Sequence, residues 1–265
     1  MLNDIDEGKE AAAKREATDR LWLELRIDLA AAHRLAVMHE FSEGIRNHMT
    51  AYSPTRPDRF LALPFGLHWT EAAASDFIEA DFDGNVIAGD GDLERTAYCI
   101  HAPIHRARPD SACVFHTHMP YASALTRLKN QELLPIGQTE IFLKDDVAYD
   151  DHYGGFAYDP AEGERMAKLL GDKNIMFLAN HGVIVLGKTI ADAYERLFYL
   201  ERAAQVQLYA MWTGRELNHV PAHTIEWTRQ QYANLPKYSG TSGDELHFGA
   251  LKRLLKGPPA KSFDQ

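Results

Sequence analysis

The stretch Val114-Phe115-His116-Thr117-His118-Met119-Pro120 carries the decision about this chain. Apolar and β-forming residues from Ser111 to Phe115 predict a short strand, and Pro120, which has no N–H to offer, cannot continue its ladder. Alternate residues of a strand share a face, so His116 and His118 project together from the strand's end. Two imidazoles so placed can turn one ring nitrogen each toward a single cation, and such a site calls for a third ligand. Asn180-His181-Gly182 offers it, following a second strand-like run, Ile175-Met176-Phe177-Leu178-Ala179, and ending in a glycine turn. The candidate metal ligands are therefore His116, His118 and His181. The competing reading is a surface pair and a turn histidine.

Working outward, 265 residues suffice for one large core with decorated ends. The formal charge of −10 disfavours nucleic acid and anionic membrane surfaces as partners. Cys99 and Cys113 are the only cysteines, which excludes a disulfide framework and fits a reducing cytoplasm. No apolar run approaches the ~18 residues of a membrane span, and the polar start is no signal peptide. A soluble, cytoplasmic protein is expected.

Three parts follow. Residues 1–17 are charged and read as a flexible arm or an extension of the first helix. Residues 18–215 hold the main domain. Thr18-Asp19 can cap a helix with Leu21, Leu25, Leu29, Ala32 and Leu35 at helical spacing, on which His33 and His39 read as packing or surface residues. Arg46 to Tyr52 reads as a strand stopped by Pro54 and Pro57, and Phe60 to Leu63 as another. Phe77 to Ile87 reads as a hairpin about Asp83-Gly84. Asp92 is the expected cap of a helix from Leu93 to about Arg106, which places His101 and His105 on one face in a packing or supporting role. Tyr121 to Leu128 reads as a short helix, and the polar run Asp145 to Gly155 as a surface loop or strand end. Pro160 to Leu170 reads as a helix ended by Gly171. Thr189 opens the longest helix, with Ile190, Ala193, Leu197, Leu200, Ala204, Leu208 and Met211 on one stripe. Residues 216–265 add two weak helices and the tail Lys256-Gly257-Pro258-Pro259. Mixed strands and helices with frequent hairpin signals predict an α/β fold on a mostly antiparallel sheet.

Arg108-Pro109-Asp110, His116-Thr117-His118 and Asn180-His181-Gly182, in that order, resemble the class II aldolase/adducin family. Glu43-Gly44-Ile45 with Asn47-His48-Met49-Thr50, and Phe65-Gly66-Leu67-His68-Trp69 with Ala74-Ser75-Asp76, resemble its early loops. Leu133-Leu134-Pro135, Val147-Ala148-Tyr149 and the Asp151 to Gly155 loop are similar to its adducin-head branch. The likeness runs from about residue 20 to 215. It implies a three-layer α/β/α fold around a mainly antiparallel sheet. It also implies homotetramers with a site at each subunit interface, where His116, His118 and His181 hold a divalent ion. Zinc suits three imidazoles best, with manganese, iron or cobalt as alternatives.

The resemblance further implies a small-molecule substrate and chemistry beside a carbonyl. Two departures bear on which chemistry. Family aldolases carry a glutamate about one turn before the position of His101, and the matching residue here is Ala97. The family's phosphate-binding pairs fall on Asn47-His48, Phe65-Gly66 and Arg95-Thr96, which makes His48, Gly66, Arg95 and Thr96 candidate substrate contacts and argues against a phosphorylated sugar. Glu140, in a segment that family enzymes use to complete the site, is the candidate acid or base, with Glu71 and Glu94 as alternatives. The leading expectation is a metal-dependent carbon–carbon lyase, a decarboxylase or retro-aldolase. The alternatives are an adducin-like binding or assembly module without catalysis, and an epimerase or dehydratase using the same centre.

Overall fold

The computed structural model describes residues 2–255, with side chains from residue 10 onward. Among these residues one sheet is built from β1 (His48–Ser53), β2 (Arg56–Ala62), β3 (Ile78–Asp81), β4 (Val86–Ala88), β5 (Cys113–Thr117), β6 (Val147–Asp150), β7 (Ile175–Leu178) and β8 (Val183–Gly187). Their order is β4-β3-β2-β1-β5-β8-β7-β6. Every pairing is antiparallel except β6 with β7. The helices are α1 (Leu2–Met38), α2 (Arg95–Ala107), α3 (Pro120–Leu125), α4 (Gln138–Leu143), α5 (Pro160–Leu170), α6 (Ile190–Trp212), α7 (Ala222–Ala233) and α8 (Gly243–Leu254).

The alternation along β5 explains the layering. Cys113 and Phe115 enter the core shared with α1 and α6, whereas Val114 enters the opposite one with Ile100 and Ile104 of α2 and Met166 of α5. Full burial of each large apolar side chain contributes roughly 1.5–3 kcal/mol, so a strand apolar on both faces needs helices on both. The result is the α/β/α arrangement with β5 near its middle. His116 shares the α2 face with Val114.

Local chemistry sets most of the boundaries. Asp159 accepts from the Ala161 N–H, Pro160 occupies the first turn of α5, and Gly171 at φ +57° ends it. Thr189 caps α6 through the Asp192 N–H. Ile190, Ala193, Leu197, Leu200 and Ala204 are buried as the stripe requires, while Met211 at its end is 39% exposed. The first 17 residues, expected as an arm or an extension of the first helix, fall within α1 beyond Met1. The tail 256–259 lies outside the described residues.

Three boundaries differ from expectation. The cap of α2 is Glu94, whose carboxylate accepts from the Ala97 N–H at 2.6 Å. Asp92 is used elsewhere, its carbonyl accepting from Phe65 N at 2.9 Å. Pro57 does not stop a strand but lies inside β2, where the β1–β2 register is irregular between Ser53 and Tyr52 and no ladder bond is asked of it. The polar run 145–155 includes β6, an edge strand that tolerates polar residues because only one side is paired. Its Asp150 is buried against Arg165.

Candidate metal centre

Three backbone devices bring the histidines together. His116 occupies β5, paired across from Ile184 of β8. His118 follows the strand just before Pro120 opens α3. His181 sits in the turn between β7 and β8, where Asn180 adopts φ +57°, a left-handed conformation that asparagine tolerates better than most residues. Next to it, a Cβ on Gly182 would lie 2.5 Å from the Thr117 carbonyl oxygen and 2.6 Å from His118 Cδ2. Glycine lets the turn close directly over the His-X-His strand end.

The outer nitrogens of the strand pair are spoken for. His116 Nδ1 donates to the Val183 carbonyl at 3.0 Å, and His118 Nδ1 donates to the Glu43 carboxylate. Both acceptors have only lone pairs to offer, so in the neutral rings each Nε2 also carries a lone pair. Those two Nε2 atoms face one another at 3.1 Å. One ligand atom from each of His116, His118 and His181 lies within 4.8 Å of the others. Lone pairs so placed repel, and a shared cation removes the conflict; two ligands at ~2.0–2.1 Å on a tetrahedral ion stand about 3.3 Å apart. Burial also holds His116 well below its usual titration range and His181 down to about 4, neighbouring positive charge adding to the effect. The residues fit a divalent metal.

Beside the triad, where the His48 ring lies 4.9 Å from that of His116, is a small, partly open cavity lined by His33, Asn47, His48, Phe65, Trp69 and Glu94 among others. His48 connects it to a buried hydrogen-bonded chain. Thr96 Oγ1 donates to Glu94 Oε2 at 2.5 Å, so His48 Nε2 donates to Thr96 at 3.2 Å. His48 Nδ1 then accepts from His101 Nε2 at 2.7 Å, and His101 Nδ1 accepts from the Thr50 hydroxyl at 2.6 Å. His105 Nε2 completes the chain, 2.9 Å from Thr50.

A model of the Class II Aldolase and Adducin N-terminal domain matches residues 27–208. This chain belongs to the class II aldolase and adducin family. A protein of Pseudomonas aeruginosa named, provisionally, for aldolase class 2 is 35% identical over 231 residues, 87% of this chain and 88% of its own. Mouse alpha-adducin is 34% identical over 69% of this chain but only 25% of its own length. Among solved structures, an aldolase II superfamily protein from Pseudomonas syringae has a TM-score of 0.84 at 34% identity, covering 92% of this chain and 96% of that one. An L-fuculose 1-phosphate aldolase from Glaciozyma antarctica has a TM-score of 0.77 at 25% identity, covering 89% and 92%.

The residues expected to serve this class II aldolase-type site divide into two groups. His116, His118 and His181 are gathered as expected, and His48 and Gly66 line the adjoining cavity. Thr96 bonds His48 at its edge. Arg95 is turned away: its guanidinium donates to the Tyr158 carbonyl at 3.0 and 3.2 Å and lies over the Tyr98 ring. Glu140 is buried in α4 and held above its usual range by that burial, and it is not among the residues lining this cavity. His101 and His105 take the supporting role expected of them. In sequence, Glu43 belongs only to an early loop motif, and Asn47 only to a pair at the family's phosphate-binding position. Asn47 Oδ1 accepts from Glu43 N at 2.8 Å and His118 N at 3.4 Å, holding the loop and the ligand strand together. A carboxylate behind a ligating histidine is the signal that could have pointed to Glu43, but only its position in space reveals it.

Proposed function

We propose that the protein is a divalent-metal-dependent carbon–carbon lyase, a decarboxylase or retro-aldolase, acting on a small carboxylated or hydroxy-carbonyl compound that is not a sugar phosphate. The observation that carries this reading is the pair of Nε2 atoms converging at 3.1 Å, each with its Nδ1–H already committed. A divalent ion held by His116, His118 and His181, zinc first and manganese, iron or cobalt after it, would supply Lewis-acid stabilisation of several kcal/mol to negative charge on an oxygen beside the breaking bond. Glu43 and the Val183 carbonyl keep the imidazoles in the ligating tautomer.

Proton transfer needs a group of this chain's own, and Glu94 is the better placed carboxylate. It lines the cavity and lies three residues before Ala97, where family aldolases carry glutamate. Bonds from Ala97 N–H and Thr96 Oγ1–H both end on its Oε2, fixing the carboxylate so that Oε1 can take or give a proton. Glu94 thus replaces Glu140 in the proposed mechanism.

Assembly as a homotetramer and a cytoplasmic setting belong to the same proposal. Val206, Tyr209 and Trp212 of α6 are 57%, 47% and 84% exposed, an apolar end that a neighbouring subunit would cover. Free, buried Cys99 and Cys113 suit a reducing compartment, and no described helix is long and apolar enough to cross a membrane. Light scattering that returned a monomer at micromolar concentration would refute the tetramer.

The second reading, an adducin-like binding module without catalysis, is favoured by Ala97, which is buried and chemically inert. An epimerase or dehydratase would use the same centre with other proton-transfer groups. The experiment is elemental analysis of protein purified without added metal, then a screen of hydroxy-acids and aromatic carboxylates for CO2 or aldehyde release. Glu94→Gln should lower turnover about a hundredfold or more with metal retained, and Glu140→Gln should leave it near wild type. Absence of bound metal would favour the binding module.

A further inference from the structure

The three histidines of the centre are not aimed in the same way. His116 and His118 each spend Nδ1 on a hydrogen bond, to the Val183 carbonyl and the Glu43 carboxylate, and those bonds fix how the rings are turned. His181 has no such holder. Among the described residues its ring makes no hydrogen bond, and its ring neighbours are His118, His116 and Tyr153 at centroid distances of 4.7, 4.8 and 6.1 Å. Where its ligating nitrogen stands therefore depends on the backbone that carries it.

That backbone is held at three points. Inside the turn, the His181 N–H donates to the Leu178 carbonyl at 3.0 Å. The Asn180 N–H donates to the Thr126 carbonyl, just past α3, at 2.8 Å. The third point is made by a side chain: Arg127 Nη1 donates to the His181 carbonyl at 2.8 Å. The same nitrogen reaches back four residues to the Ser123 carbonyl at 2.6 Å and lies 3.1 Å from Thr126 Oγ1. The guanidinium thus closes off the last turn of α3, as arginines at helix ends do, and ties it to the His181 turn. Its other nitrogens make no bond among the described residues, so the hydrogen bonding of this side chain is spent at that junction. Because α3 begins at Pro120, two residues after His118, Arg127 joins the segment of one ligand to the segment of another.

We propose that Arg127 is the positioning residue for the third ligand: through the His181 carbonyl it sets where that imidazole stands relative to His116 and His118, and so governs how tightly and in what geometry a divalent ion is held. The donor is charged, which makes the bond stronger than one between neutral groups, and the acceptor is a backbone atom of the ligand residue itself. The turn has little room to move in other directions, since a Cβ on Gly182 would already lie 2.6 Å from His118 Cδ2. The inference rests on the metal-centre reading and deepens it, giving the one ligand without a partner behind its ring a device of a different kind.

The test uses the full-length protein with Arg127→Met, which keeps the apolar stem and removes every donor. Zinc affinity is read by competition with a chromophoric chelator, and cobalt(II) loaded in place of zinc reports coordination geometry through its visible bands. Arg127→Met should weaken zinc binding about tenfold or more and shift or weaken the cobalt bands. Arg127→Lys, which restores a charged donor without the planar fork, should bind zinc at least about threefold tighter than the methionine variant. If the methionine variant does not fold, Arg127→Gln, too short to span both carbonyls, stands in for it with the same expectations. Urea unfolding in chelator separates positioning from simple anchoring of α3, because a residue that only secures the helix would change the urea midpoint and neither metal readout. Zinc affinity and cobalt bands like those of wild type, or a lysine variant no tighter than the methionine one, would overturn the proposal and leave the metal centre standing. If the wild-type protein binds neither zinc nor cobalt, the metal-centre reading fails, and this inference falls with it.

Discussion

Replacing His105 with phenylalanine should flatten the response of this protein to acid. His105 is 2% exposed, and burial brings its imidazole down from 6.5 to about 3. It is neutral when folded, whereas the unfolded chain takes up a proton as the pH falls through 6.5. Acid therefore favours unfolding: the stability is fully present above 6.5 and is lost progressively as pH falls toward about 3. Between pH 7 and pH 5 linkage gives a loss of about 2 kcal/mol from this one residue. Phenylalanine cannot titrate, and its ring would keep the neighbours of the imidazole, Tyr52, Phe60 and Phe82, now at centroid distances of 5.3, 5.9 and 6.3 Å. The substitution sacrifices the 2.9 Å bond to Thr50, about 1 kcal/mol, while Thr50 retains His101. The variant should thus be about 1 kcal/mol less stable than the parent at pH 7 and about 1 kcal/mol more stable at pH 5. Urea unfolding at both pH values, in chelator and at equal protein concentration, measures this; buried His33 titrates alike in both proteins and cancels. Parallel stability curves would refute the account of His105 as a neutral interior group.

Other outcomes follow from the centre itself. Glu43→Gln removes the carboxylate behind His118 and should weaken zinc affinity about 10- to 100-fold with the fold intact, as read by competition with a chromophoric chelator; unchanged affinity would mean that the pair is incidental. Gly182→Ala forces a methyl group to within 2.5 Å of the Thr117 carbonyl, so metal stoichiometry should fall and stability should drop by about 1–3 kcal/mol in urea titrations. An alanine variant with full metal content would show that the turn has slack its geometry denies.

What the sequence determined by itself is whatever rests on neighbours along the chain. The period of two put His116 and His118 on one face, the apolar run before Asn180-His181-Gly182 marked a second strand end, and Asp159, Pro160, Gly171 and Thr189 announced the limits of α5 and α6. The ordered motifs carried the family, and with it the three-layer arrangement. Spacing also showed that His101 and His105 share a face, but their partners His48 and Thr50 lie on β1, brought against α2 only by the sheet. The tertiary structure alone decided who stands behind the ligands, because Glu43 and His118 are 75 residues apart and no local pattern links them. Side-chain direction was equally out of reach. Arg95 is a candidate substrate contact by sequence, yet the Tyr158 carbonyl holds its guanidinium, and Glu140, a candidate acid or base by sequence, does not line the cavity of its own chain. Burial and hydrogen-bond saturation are properties of the packed molecule. That is why His105, placed by sequence only on a shared helix face with His101, is recognised as a sealed interior group only once Tyr52, Phe60 and Phe82 are seen around it.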